Sequence, residues 1–162
     1  MITVKVDASQ AMLKFGPAGI PESVRRNLRA IIPDLTKRLG AKVEAGLNSE
    51  LKSRNRLQVK KEMVENPSTL YGRVTLVTTS EPKLLPQWLE EGTRPHEIRA
   101  RNASALFFFW EKMGANVAFQ RVQHPGTRAY RFVGNAFDAM EAEIKDALTH
   151  AVKTTAMRQM VG

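Results

Sequence analysis

The sequence predicts an α+β fold in which an antiparallel or mixed β-sheet is packed by two long helices. An apolar stripe at spacings of three and four residues runs through residues 21–51, and a second runs through residues 132–152. Short stretches outside these helices alternate apolar and polar side chains, as half-buried strands do. A chain of 162 residues is most simply one domain, and it can bury a core without disulfides or metals. We therefore predict a single domain spanning residues 1–162.

The first twenty residues are predicted to form a strand and an arm that lead into the first helix. Residues 1–7 alternate apolar and polar side chains and lack the apolar core of a signal peptide. Pro21 suits the first position of a helix, since the missing N–H has no partner there. Pro33 lies inside that helix and predicts a kink, because proline removes a backbone hydrogen bond and crowds the preceding turn.

A β-hairpin is predicted next, followed by a short helix. Residues 56–64 alternate in polarity, and residues 70–79 are rich in β-branched and aromatic side chains. The turn signal Asn-Pro-Ser-Thr lies between them at residues 66–69. A helix from about residue 82 to residue 91 is expected to end at Gly92.

Three extended segments are predicted after this short helix, and a turn at Gly114 separates the last two. The segments are residues 95–99, 105–110 and 117–123. One uninterrupted C-terminal helix begins at Phe132, and its apolar pattern weakens beyond Lys153. Residues 153–162 are therefore expected to fray.

The run at residues 105–110, Ala-Leu-Phe-Phe-Phe-Trp, is the most apolar part of the chain. A half-buried strand would carry polar residues at alternate positions, but this one is apolar on both faces. Either both faces are covered within the monomer, or one of them contacts another subunit, because paired exposed rings form an adhesive patch.

Positive charge dominates the chain, with 25 Lys and Arg against 16 Asp and Glu and a net charge of +9. This field favours contact with an acidic surface, either nucleic acid or protein. Five basic residues without an acid among them are the candidates for such contact: Lys52, Arg54, Arg56, Lys60 and Lys61. Solvated helix and loop faces are the alternative explanation, since no helix-turn-helix, zinc-finger or RNA-binding signature accompanies them.

The residue types argue against catalysis and against a cofactor. The chain has no cysteine, which excludes disulfides and thiolate chemistry, and it has neither a phosphate-binding glycine loop nor a nucleophile elbow. Its longest apolar run is far too short to cross a membrane. His96 and His124 each lie beside a proline turn and could meet in space. They either hydrogen-bond backbone groups of their own turns or serve as a zinc or proton-relay pair.

Three motifs in a fixed order resemble the neck or tail-completion family of long-tailed bacteriophages. They are Glu-Gly-Thr-Arg-Pro-His at residues 91–96, the aromatic run at residues 105–110, and Val-Gln-His-Pro-Gly-Thr at residues 122–127. An aromatic residue then opens the C-terminal helix, and the resemblance covers roughly residues 20 to 155. The order of the two proline motifs is more specific than either motif alone.

The resemblance implies a non-enzymatic virion protein that assembles as a ring, expected to be hexameric, between the head connector and the tail tube. Its partners would be copies of itself, the neighbouring head-connector and tail-tube proteins, and genome DNA in the lumen. It would reach the virion neck from the host cytoplasm, without a membrane. The candidates for subunit contact are Trp88, Arg94, His96, Phe107, Phe108, Phe109, Trp110, His124 and Thr127. A tail-terminator protein that caps the tail tube and a free-standing basic DNA-binding protein are the alternatives.

Overall fold

The computed structural model describes residues 2–7, 21–51, 56–66, 69–79 and 81–160. These residues form seven strands and four helices, which confirms the predicted α+β class. The strands are β1 (Ile2–Asp7), β2 (Leu57–Asn66), β3 (Thr69–Thr78), β4 (His96–Arg99), β5 (Leu106–Trp110), β6 (Ala115–Phe119) and β7 (Arg121–His124). The helices are α1 (Glu22–Glu50), α2 (Leu85–Glu91), α3 (Phe132–Asp138) and α4 (Glu141–Met160).

The main sheet is antiparallel and has three strands in the order β1-β3-β2. Strands β2 and β3 form the predicted hairpin, in which Val59 pairs with Leu76. The N-terminal strand pairs with the other edge of β3, where Val4 lies opposite Val74. The predicted turn residues 67 and 68, and the predicted arm at residues 8–20, lie outside the described residues.

The core lies between one face of this sheet and the helices α1, α3 and α4. Apolar side chains recur along α1 every three or four residues, and this periodicity places them all on the face that meets the sheet. The largest fully buried side chains are Leu28, Ile32, Leu39, Leu47, Leu70, Leu76, Met140, Val24, Val43, Val74 and Val133. Each contributes roughly 1.5–3 kcal/mol through the hydrophobic effect, so the two long helices and the sheet depend on each other.

Helix α1 has the predicted bounds and continues through both Pro33 and Gly40. Pro33 lies on the exposed side of the helix, where solvent can satisfy the carbonyl that loses its N–H partner. The kink at Pro33 stays a prediction. The helix ends at Glu50, where the N–H of Leu51 donates to the carbonyl of Leu47 at 3.0 Å.

The C-terminal helix differs from its prediction in one way. It is divided into α3 and α4 at residues 139–140, although neither residue is a proline or a glycine. Met140 is almost fully buried there, and its N–H donates to the carbonyl of Phe137 at 2.9 Å. Packing of Met140 in the core thus accompanies a break that the apolar spacing does not show. The backbone of α4 is helical to Met160, and fraying of the tail from residue 153 stays a prediction.

The remaining strands form a long hairpin arm, defined here as residues 93–127, rather than part of the main sheet. The strand predicted at residues 117–123 is divided at Gln120 into β6 and β7. Strand β7 pairs with β4, and β6 pairs with β5, both antiparallel. The strands of the arm contact mainly each other. The structure therefore has three separate sheets where a single sheet was expected.

Candidate assembly surface on the hairpin arm

At the root of the arm, its two antiparallel segments are joined by backbone hydrogen bonds. Thr93 and Thr127 form a β-bridge, and each donates its N–H to the carbonyl of the other, at 2.9 Å and 3.2 Å. The Thr127 N–H also lies 2.9 Å from the Thr93 hydroxyl. Gly92 and Gly126 both have positive φ, and a Cβ on Gly126 would lie 2.2 Å from the Thr93 carbonyl oxygen. Only glycine lets the two backbone segments approach this closely in this conformation.

Contacts from α2 fasten this root to the body of the protein. The Tyr130 N–H donates to the Leu89 carbonyl at 2.8 Å. The Glu90 carboxylate accepts the N–H groups of Val133 at 3.0 Å and Gly134 at 2.7 Å, at the N-terminus of α3. A carboxylate is favourable there because the first amides of a helix lack intrahelical partners. Glu90 is accordingly half-buried, unlike the exposed Glu91 beside it.

His96 and His124 are brought together just above the root. They are opposite residues in the β4–β7 pairing, with ring centroids 5.1 Å apart and planes tilted by 35°. His96 Nδ1 donates to the Arg94 carbonyl at 2.8 Å, whereas His124 Nδ1 accepts the Gly126 N–H at 3.1 Å. These bonds fit the interpretation in which each imidazole bonds the backbone of its own turn.

The hydrogen bonds also assign the tautomers of the two histidines. His124 accepts at Nδ1, so its proton is on Nε2. Nε2 could ligate a metal only if the proton moved to Nδ1, and the hydrogen bond from Gly126 would then be lost. Within the described ranges, no group of three or more His, Cys, Asp or Glu side chains is placed to hold a metal ion.

Charged side chains lie on the ribbon formed by β4 and β7. Glu97 accepts a hydrogen bond from the Gln123 amide at 3.2 Å and forms ion pairs with Arg99 and Arg121. Arg94 and Arg101 are exposed on the same arm. Glu97, Arg99 and Arg121 share one face of this ribbon, and Ile98, which is 38% exposed, lies on the other face.

The ribbon formed by β5 and β6, called the arm tip here, has aromatic side chains on both faces, and Asn116 is its one polar residue. On one face Phe108, Trp110 and Phe119 form a cluster of three rings, with centroids 5.9–6.5 Å apart. On the opposite face Phe107 and Phe109 are 76% and 60% exposed. Burial within the monomer was one explanation for this aromatic run, and the exposure of these rings excludes it.

A two-stranded ribbon cannot bury either of its own faces, and isolated hairpins are marginally stable in water. The turn at the end of the ribbon adds Met113, which is 63% exposed. The arm tip is thus a contiguous apolar surface of the kind that marks interaction sites.

The remaining contact candidates occupy different positions. Trp88 lies on α2, outside the arm, and is 39% exposed. Thr127 is half-buried in the root, where it bonds Thr93. The structure therefore places seven of the nine candidates on the arm above its root, Thr127 in the root and Trp88 in the body. Two exposed apolar residues of the arm were not among the predicted contact candidates. Phe119 could have been found from its alternation with Val117, whereas no sequence pattern indicated Met113.

Three of the five basic candidates, Arg56, Lys60 and Lys61, lie within the described residues, and they do not all share one face. Lys52 and Arg54 lie outside the described residues. Lys60 and Lys61 are neighbours on β2, so their side chains leave opposite faces of the sheet. Lys61 extends over α1 and forms an ion pair with Glu44 at 2.8 Å. Arg56 and Lys60 are exposed.

A shallow cleft of about 460 Å³ lies between α1 and α3. Gly46 and Ala136 are among the residues that line it, and so are Tyr130 and Phe132, whose rings stack. The Arg128 guanidinium lies 4.5 Å from the Tyr130 ring centroid and pairs with Glu50. Ser49 also lines the cleft, and its hydroxyl donates to the Gly46 carbonyl at 2.9 Å.

Comparison of the chain with protein-family models, with curated proteins and with solved structures finds no significant match. Among the described residues, none of the helices has the length and apolar character needed to cross a membrane.

Proposed function

We propose that the protein is a structural subunit of the phage neck or tail-completion type, which forms a ring in the head-to-tail connection. One observation carries the proposal: the arm tip exposes five aromatic rings on two faces that the monomer does not cover. Exposed rings on this scale are costly in a protein that acts alone, because they promote uncontrolled association.

Ring assembly accounts for this surface because each subunit of a closed ring contacts two neighbours through two different patches. An arm with two apolar faces offers a surface to each side. Burial of one phenylalanine side chain contributes roughly 1.5–3 kcal/mol, so several rings are enough to hold neighbouring subunits together.

The order of motifs supports the same proposal. The two proline motifs through which the chain resembles the neck family form the root and the first ribbon of the arm, and the aromatic run forms its tip. The hexameric state, the position between head connector and tail tube and the contact with genome DNA belong to this proposal. So does the path from host cytoplasm to virion.

The test is to place a charge within the aromatic cluster. Phe108→Asp and Trp110→Asp should abolish rings in negative-stain images and reduce the mass measured by light scattering, and they should prevent incorporation into virions. Met63→Asp is the matched control, because Met63 is an exposed apolar residue on β2 of the main sheet, at 44% exposure. Parent-like assembly of both arm variants would refute the role of the arm.

Imaging of assembled particles separates this proposal from the tail-terminator alternative. If the protein is a neck subunit, a label attached to it should appear at the head-proximal junction. The protein should then be absent from tails that have not joined a head. Label on the capped ends of free tails would assign the terminator role instead.

A further inference from the structure

The two strands of the arm tip have open edges that nothing in their sequences protects. Strands β5 and β6 pair only with each other among the described residues, so the outward N–H and C=O groups of both lack a strand partner. Their sequences, Leu-Phe-Phe-Phe-Trp and Ala-Asn-Val-Ala-Phe, contain no charge and no proline. Such edges are templates for pairing with another strand.

Other described strands with an open edge carry charged side chains. Strand β2, at one edge of the main sheet, carries Lys60, Lys61 and Glu62. The ribbon of β4 and β7, on the same arm, carries Glu97, Arg99 and Arg121. Charges on an edge strand oppose pairing with a second chain, and the arm tip lacks them.

We propose that β6 of one copy pairs edge to edge with β5 of the next copy, so that the arm tips form one sheet that is continuous between subunits. This inference rests on the proposed ring and specifies its contact: backbone hydrogen bonds between arm tips, in addition to burial of the rings. Arms that project side by side in the same direction place β6 antiparallel to the neighbouring β5, which is the more stable pairing.

A second copy fits this surface better than an unrelated partner does, because the arm tip has two open edges. One partner of a different kind would satisfy one edge and leave the other exposed. Copies arranged in a closed ring satisfy both edges of every subunit, since closure alone removes the edges of a sheet.

Edge pairing also accounts for the side-chain pattern. Residues paired across strands project to the same face, so Phe108, Trp110 and Phe119 stay on one side of the continuous sheet. Phe107 and Phe109 stay on the other side. Neighbouring copies then extend each aromatic cluster, and cross-strand aromatic pairs are among the pairs that stabilise sheets.

Hydrogen exchange measured by mass spectrometry on isolated rings tests the pairing. In a lone hairpin about half of the backbone N–H groups point outward and exchange freely. Edge pairing should slow exchange along the whole of residues 106–110 and 115–119 by at least tenfold relative to the Phe108→Asp monomer. Rings in which the outward half of these amides still exchanges freely would overturn the edge pairing and leave the proposed function intact.

Cysteine cross-linking provides a second, independent test, because the parent chain has no cysteine. Phe107 and Ala118 are directly opposite within one chain, and edge pairing in the same register places Ala118 of one copy opposite Phe107 of the next. Phe107→Cys and Ala118→Cys are therefore introduced into separate chains that are then mixed and oxidised. The mixture should yield a disulfide-linked dimer that neither variant yields alone. Lys145→Cys on α4 replaces Phe107→Cys in the control mixture and should yield none.

The outcomes of these experiments distinguish failure of the edge pairing from failure of the proposed function. Rings that form without the cross-link in the mixture overturn the edge pairing alone. A protein that forms no ring, by itself or on purified virions, overturns the proposed function and this inference together.

Discussion

The Glu90 carboxylate accepts the backbone N–H of Gly134 at 2.7 Å, although the two residues are 44 positions apart in the chain. Glu90 lies just before the hairpin arm and Gly134 just after it. The bond therefore joins the helices on both sides of the arm, beside the Thr93–Thr127 bridge. We infer that Glu90 anchors the arm at its root, while the side chains of the arm tip remain exposed.

Glu90→Gln should destabilise the protein by about 1–2 kcal/mol, because the first amides of α3 lose a charged acceptor. Urea unfolding followed by circular dichroism measures the loss. Glu91→Gln is the matched control, since Glu91 is exposed and its side chain accepts a hydrogen bond only from Gln87 of the same helix among the described contacts. Equal stability of the two variants would contradict the anchoring role of Glu90.

Gly126→Ala should distort the root of the arm, because the added Cβ would lie 2.2 Å from the Thr93 carbonyl oxygen. The strain of a left-handed residue adds to the steric clash, and together they cost roughly 2 kcal/mol or more. Gly114→Ala shares the positive φ but has no atom within 4 Å of the new Cβ. Thermal unfolding measures the loss of stability in both variants. An equal loss in Gly114→Ala and Gly126→Ala would show that crowding at the root has no effect.

Phe107→Ser should leave the stability of the monomer within about 0.5 kcal/mol of the parent, because the ring is exposed and makes no core contact. Leu39→Ala should cost about 2–5 kcal/mol, since Leu39 is fully buried between α1 and the sheet. Chemical denaturation of both variants at low protein concentration makes the comparison. A large loss for Phe107→Ser would mean that the monomer covers the ring.

Acid should weaken the contact between α1 and β2. Arg29 donates a side-chain hydrogen bond to Glu65 at 2.8 Å, and this bond lowers the pKa of Glu65 below its ordinary value of 4.5. Folding therefore favours the charged carboxylate. Its contribution is complete above pH 4.5 and is lost as the pH falls through the lowered pKa.

Arg29→Ala should accordingly reduce the dependence of unfolding free energy on pH below 4.5, as measured by denaturation across a pH series. The contact is exposed, so the effect should be small and should diminish in high salt. An unchanged pH dependence in Arg29→Ala would show that this ion pair is not formed in solution.

Duplex DNA should bind the isolated protein weakly, because Lys60 and Lys61 lie on opposite faces of the sheet and Lys61 is paired with Glu44. A salt titration with fluorescent DNA measures this. A DNA-binding protein would instead show an affinity that falls steeply with salt, by a slope of about 0.9 for each phosphate contacted. If such binding were found and Lys60→Ala reduced the slope, the free-standing DNA-binding alternative would be favoured.

The sequence by itself determined the elements whose evidence is local. The 3.6-residue stripe placed α1 to within a residue or two, and strand alternation with a turn signal placed the β2–β3 hairpin. The two proline motifs predicted that His96 and His124 could meet, and they are paired. Periodicity and turn chemistry act over a few residues, so they can be read from the chain alone.

Only the tertiary structure decided where the aromatic run lies and what Glu90 does. An apolar strand looks the same in sequence whether a core or solvent surrounds it, and the outcome here depends on the pairing of β5 with β6 instead of the main sheet. Glu90 likewise resembles any exposed helix residue until α3 is folded against α2. Both facts arise from contacts between distant parts of the chain, which local residue patterns do not encode.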